Sequence, residues 1–188
     1  KVKVINSREE DMLTSPGHIG LEAKVKLGAT RNGLLKVAEI TYLWDGGAYS
    51  DKATDLSRAR AFDCTSPHHI DNVYCDYLYM CTYHPFAAHF QVFAQSEVLF
   101  AFERTMDVLA LKLGADPLEL RQINAIKPGD KTPTQVQLNR STVGNLPVCI
   151  KELKKIMNWG EGSYKRISES RIIAKGICCI WKNSTIDP

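Results

Sequence analysis

From Gly20 the chain alternates with a strict period of two. Leu21, Ala23, Val25 and Leu27 fall on one side, and Glu22, Lys24 and Lys26 on the other. Successive side chains of a strand point to opposite faces, so this pattern predicts a half-buried strand. Asn32-Gly33 is the dipeptide that best fits a tight antiparallel turn. The return stretch sets Ala38, Ile40, Tyr42 and Trp44 on one face before Asp45-Gly46-Gly47 breaks it. A hairpin over residues 20–49 follows. Ahead of it, Val2 and Val4 alternate with lysines and predict a short strand over residues 1–6. Ser7 and Glu10 have capping-box spacing and predict a short helix ending near Ser15-Pro16-Gly17.

The period changes further on. Val98, Phe102, Met106, Leu109 and Leu113 recur every three to four residues, and Gly114 stands where such a helix would stop. Asp116-Pro117-Leu118-Glu119 restarts a helix, with an N-cap, a proline at the first position and an acid at the third. Residues 52–62 are weakly helical, 66–69 form a turn, and the tyrosine-rich 73–83 reads as a strand. Residues 85–94, PFAAHFQVFA, fit neither period. Residues 127–147 are polar and aperiodic, and they read as a connector between a first lobe, 1–126, and a second, 148–188. In the second lobe a helix near 148–157 sets Cys149, Leu153 and Ile156 inside and Lys151, Lys154 and Lys155 outside. A polar helix over 163–170 and a strand over 172–182 complete an α+β pattern with antiparallel hairpins and packed helices.

At 188 residues the chain can bury a core without disulfides or metals. A net charge of +3, spread without a basic block, gives no footprint for nucleic acid or an anionic membrane. No apolar run approaches the roughly 18 residues of a membrane span. The opening KVKV without methionine and the stop at Pro188 suggest a piece of something larger. Six cysteines contain no CxxC pair. Cys75, Cys81, His84 and His89 tempt as a zinc site, but six residues of strand would separate the two thiols by roughly 20 Å. Reduced cysteines acting as small core hydrophobes in a cytoplasmic protein are the expectation.

Candidate chemistry is sparse. Glu103 and Asp107, four apart on a helix, read as a solvated like-charge pair answered by Arg104, with a catalytic dyad as the alternative. His68-His69 in a turn reads as surface. Arg58 and Arg60 flank an apolar run and could hold an anionic substrate. In the 85–94 segment, Phe90 and Phe93 either close the core under the long helix or stack on a flat substrate beside a helix N-terminus.

REEDMLTSPGHIGLEAKVKLGATRNG, WDGGAYSD, SRARAFDCTSPHHIDNV, HPFAAHFQVFAQSEVLFAFERTMD, KLGADPLELRQINAI and PGDKTPT, in this order, resemble the molybdopterin-binding subunit of the xanthine dehydrogenase and aldehyde oxidase family. The resemblance runs through nearly the whole chain to GICCIWKNSTIDP. It implies part of a molybdenum hydroxylase that oxidises an aldehyde or an N-heterocycle with oxygen from water. It also implies a molybdenum–molybdopterin cofactor in the complete enzyme, and iron–sulfur and FAD partners that carry electrons away. Arg58 then resembles the substrate-orienting arginine, and Phe93 the ring that stacks on the substrate. The backbone of Phe90, Gln91 and Val92 resembles the stretch that approaches the cofactor. Gln91 stands where the family has arginine, Val92 and Ala94 where it has glycines, and His89 where it has alanine. The family's glutamate base falls outside this segment, so no catalytic residue is expected within it, and no tightly held cofactor in the chain alone. A non-catalytic module that keeps the fold with a degenerate site is the alternative these departures favour.

Overall fold

The computed structural model describes residues 1–49, 53–88 and 94–181. Its centre is a sheet of three strands in the order β2 (Gly20–Ala29), β3 (Leu35–Asp45), β4 (Asn72–Met80). β2 and β3 form the antiparallel hairpin that the alternation requires, with Leu21 opposite Trp44, Ala23 opposite Tyr42 and Val25 opposite Ile40. β4 runs parallel to β3. A parallel neighbour needs a crossover, and α2 (Ala53–Phe62) supplies it. Helices α2 and α3 (Gln95–Leu113) cover the inner face, α2 against β4 and α3 against β2.

This arrangement sandwiches the central strand. Ala38, Ile40, Tyr42 and Trp44 of β3 are all 0% exposed, and they meet Val98, Phe102, Met106 and Ala110 on one stripe of α3. Gly114 ends α3 in the left-handed conformation, its N–H bonded to the last carbonyls. Asp116 caps α4 (Pro117–Asn124) by accepting from the N–H groups of Leu118 and Glu119, and its second oxygen accepts from Trp159 Nε1 at 2.8 Å. Buried Asn124, the last residue of α4, reaches the hairpin turn. Its Oδ1 accepts from the Leu35 N–H at 2.9 Å, and its Nδ2 donates to the Gly33 carbonyl at 2.9 Å.

A smaller cluster follows. Leu118 and Ala125 pack with Ile150, Trp159 and Cys179. These come from α6 (Leu146–Ile156), a 3-10 turn at Trp159–Glu161 and the segment near residue 179. Before them, residues 127–139 form turns around a Lys131–Gln137 bridge, and α5 (Arg140–Val143) is one short turn capped by Asn139.

Several expectations are corrected. Residues 1–6 form no strand: no neighbouring strand offers them hydrogen bonds, and Val2 is 94% exposed. α1 (Arg8–Thr14) has its capping box but buries no residue. In α6 the apolar residues read as inward, Cys149, Leu153 and Ile156, face out, while Leu146, Ile150 and Met157 face the cluster. Their partners, Leu118, Ala125, Trp159 and Cys179, lie outside the helix, so its own period does not show that face. The polar helix over 163–170 is instead a hairpin of β6 (Tyr164–Arg166) with β7 (Ile172–Ala174), and regular strand stops there. Cys64 and Cys179 are buried as core residues, but Cys81, Cys149 and Cys178 are exposed.

Phe102→Ala should destabilise the chain by about 3–5 kcal/mol, because it opens a cavity where α3 meets β3. Urea unfolding should show the midpoint falling with little change in slope.

Candidate functional site

The path of the chain toward residues 89–93 is set by two glycines. At the end of β3, Gly47 has φ +73°, and a Cβ there would stand 2.3 Å from the Pro85 carbonyl oxygen. A Cβ on Gly46 would collide with the Tyr79 ring. Without side chains, both let the 80–88 stretch wrap tightly around the strand end. Four backbone bonds fix the wrap: Gly46 N–H to Met80 O, Thr82 N–H to Gly47 O, Ala48 N–H to His84 O and Ala87 N–H to Gly46 O. Asp45 adds side-chain contacts. It accepts from the Thr82 hydroxyl at 2.6 Å and lies 2.9 Å from His84 Nε2. The Thr82 hydrogen bond is the largest influence holding the Asp45 carboxyl below its ordinary range, and His84 adds to it.

The wrap ends in β5 (Ala87–Ala88), which pairs in parallel with β1 (Gly17–His18). His18 Nδ1 meets Glu97 Oε1 at 2.6 Å, so β1 is also fastened to the first turn of α3. Both ends of the 89–93 stretch are thereby anchored. The candidates Phe90, Gln91, Val92 and Phe93 lie outside the described residues, as does His89.

The two arginines of α2 separate clearly. Arg58 is exposed, its guanidinium 5.4 Å from the centre of the Phe62 ring. Arg60 is buried at 3% exposure, with Nη1 3.0 Å from Asp63 Oδ2 in an ion pair. Of the pair read as anion-binding, only Arg58 faces solvent. Burial pushes the Asp63 carboxyl up to about 6 against the pull of Arg60. A cleft of about 930 Å³ between Val37, His69, Tyr74 and the 129–135 turn does not include Arg58.

Two other candidates are structural. Glu103 and Asp107 are not a solvated pair, since Glu103 is 5% exposed. Its Oε2 accepts from Arg121 Nε at 2.7 Å and from the Cys179 N–H at 3.1 Å, and its Oε1 lies 2.6 Å from His68 Nε2. Arg121 also donates to Asp107 at 2.9 Å. Burial works to raise the Glu103 carboxyl, but His68 and Arg121 outweigh it and hold the carboxyl low. His68, read as surface, is 1% exposed and stacks on Phe102 at 5.7 Å. Sequence reasoning missed these partners because they lie far from Glu103 along the chain. The only local hint was an acidic residue one position from the apolar stripe of α3.

Residues 1–125 match the family described as molybdopterin cofactor-binding domain. The chain belongs to that family. This molybdopterin cofactor-binding domain is 35% identical over 133 residues to the aldehyde oxidoreductase of Megalodesulfovibrio gigas, covering 71% of this chain and 14% of that protein. It is 29% identical over 154 residues to the nicotinate dehydrogenase large molybdopterin subunit of Eubacterium barkeri, covering 82% of this chain and 36% of that subunit. Among solved structures, an aldehyde oxidoreductase from Desulfovibrio desulfuricans superposes with a TM-score of 0.76 at 25% identity, covering 84% of this chain and 18% of that one. The chain thus spans little more than a third of the longest-covered of these relatives.

The described residues fit such a cofactor. Ala94 opens α3 at φ 55° with no side-chain cap, so among the described residues no side chain caps the first-turn N–H groups. Gln95, 0% exposed, has an Oε1 that accepts no hydrogen bond from the described residues. Donors and a buried acceptor thus meet at the end of α3 where residues 89–93 join it, and a pterin edge carries both kinds of group. Ala94 also keeps the left-handed conformation that a glycine would take without strain.

Gly47→Ala should cost at least about 1–3 kcal/mol, since it combines a positive φ with a backbone clash. Thermal unfolding of the variant should show a lower midpoint. Asp63 gives a pH signature. An acid whose pKa is raised on folding contributes stability at low pH, and this is lost as pH climbs from about 4 to about 6. In Asp63→Asn that loss should vanish, so the stability difference between variant and parent should grow by up to about 1.4 kcal/mol per unit across the window.

Proposed function

We propose that this chain is a segment of a molybdenum hydroxylase subunit that oxidises an aldehyde or an N-heterocycle. The match of residues 1–125 to the molybdopterin cofactor-binding domain carries this reading. The oxidoreductase and dehydrogenase names of its relatives support it. In the overall reaction a C–H bond becomes C–OH with oxygen from water, and two electrons and two protons leave. When bound, the molybdenum–molybdopterin group supplies the redox centre for that exchange. Iron–sulfur and FAD partners would take the electrons, and the cytoplasm is the proposed compartment.

The chain's own residues then have defined tasks. Arg58 orients the polar edge of the substrate through charge-assisted hydrogen bonds, and Phe93 stacks on its ring. The backbone of Phe90, Gln91 and Val92, with the start of α3, holds the cofactor's polar edge. Residues 1–126 belong to a first lobe, 127–147 connect, and 148–188 begin a second. The base is supplied by flanking segments, so the chain alone is inactive and retains no tightly bound cofactor.

A second reading is favoured by the side chains at 91, 92 and 94 that depart from the family: a fold-retaining binding or assembly module without turnover. The complete subunit decides between them. Stoichiometric molybdenum and pterin, with ¹⁸O from labelled water appearing in an oxidised aldehyde or purine, are expected. A subunit that folds and assembles but holds no molybdenum would establish the second reading. Within an active subunit, Arg58→Ala should lower kcat/KM about 10–100-fold, the effect of losing a hydrogen bond from a charged group.

A further inference from the structure

Two buried polar side chains on α3 grip the same short stretch of distant backbone. Glu103 Oε2 accepts from the Cys179 N–H at 3.1 Å, and Gln95 Nε2 donates to the Trp181 carbonyl at 3.1 Å. The Ser66 hydroxyl reaches the Cys179 carbonyl at 3.5 Å from a third element. Gln95 and Glu103 are eight residues apart, about 12 Å along the helix. Residues 179–181 therefore run against the direction of α3 and arrive at its first residue. Gln95 is joined through Ala94 to Phe93. Trp181 therefore lies at the end of α3 to which the candidate cofactor segment is joined in sequence.

We propose that Gln95 and Glu103 are positioning residues that clamp residues 179–181 along α3, and that cofactor retention depends on this clamp. The proposal rests on the function given above. Buried backbone N–H and C=O groups need partners, and an extended segment of this length has no ladder of its own to supply them, so the two side chains of α3 fix its course. Here Gln95 uses one end of its amide on Trp181 and leaves the other, Oε1, without a partner among the described residues at the helix start. The clamp and the unfilled acceptor thus belong to one side chain. Glu103 is also fixed from behind by Arg121 and His68, so it cannot turn away from Cys179.

The test uses the complete subunit that carries this segment. Amide hydrogen exchange of residues 177–181 and the molybdenum and pterin content are measured together in the parent, Glu103→Gln, Glu103→Ala and Gln95→Met. Glu103→Gln keeps an acceptor for the Cys179 N–H and should keep both slow exchange and cofactor. Glu103→Ala should speed exchange at Cys179 by about ten- to a hundred-fold. Because it also strips Arg121 and His68 of their partner, it can fail to fold, and Gln95→Met keeps the test decisive. In Gln95→Met, faster exchange together with a cofactor loss of about ten-fold is expected. Faster exchange with full cofactor content overturns the proposal. Lost cofactor with unchanged exchange also overturns it, since Gln95 then acts on the cofactor directly. A parent subunit that holds no molybdenum refutes the functional reading itself, and its exchange data still show whether the clamp exists.

Discussion

The Glu103 carboxylate stands where the turn before β4, helices α3 and α4, and the 177–181 segment meet, and both of its oxygens are used. Taking a carboxylate out of water is costly, and it is tolerated only when its lone pairs are filled and a counter-charge is close. Arg121 provides the charge, and three of its other N–H groups go to Asp107, the Pro117 carbonyl and the Glu103 carbonyl. Every group in the cluster therefore depends on the others, and a shift of α4 relative to α3 would strand a charge in the interior. This polar knot sets the register between the sheet-covering helix and the smaller cluster behind it.

How much of this was legible in the sequence depends on how far apart the partners are. The β2–β3 hairpin could be read because its alternation, its turn and its buried face all lie within about thirty residues and agree with one another. α3 and its glycine stop were readable for the same reason. The α6 face was not, because Cys149, Leu153 and Ile156 are as apolar as the residues that are buried, and partners outside the helix, Leu118, Ala125, Trp159 and Cys179, decide. Residues 163–170 are mostly polar and carry no period, so their hairpin depends on finding Ile172–Ala174 as a partner.

The site shows the same division. Arg58 and Arg60 are equivalent in composition, and their separation into an exposed and a buried guanidinium depends on Asp63 and on which side of α2 meets the sheet. The WDGGAYSD motif could be recognised without a reason for its glycines. The reason is the passage of Pro85 and Phe86 across Gly47. At Ala94 the sequence signalled a departure from glycine, while the backbone there adopts the glycine-like conformation regardless. Its methyl is fully buried, which offsets part of the conformational cost.

The amide of Asn124 closes the hairpin turn from about ninety residues away, and this matters while the chain is being made. The strands emerge and can pair early, since their contacts are local. Their turn, however, holds the Leu35 N–H and the Gly33 carbonyl open until α4 has left the ribosome and folded back. A nascent chain paused anywhere before residue 124 would thus present a sheet with an unsealed end. The family match stops at residue 125, one position past the side chain that seals it. In this segment, the matched domain ends one position past the residue whose emergence first lets its sheet be completed.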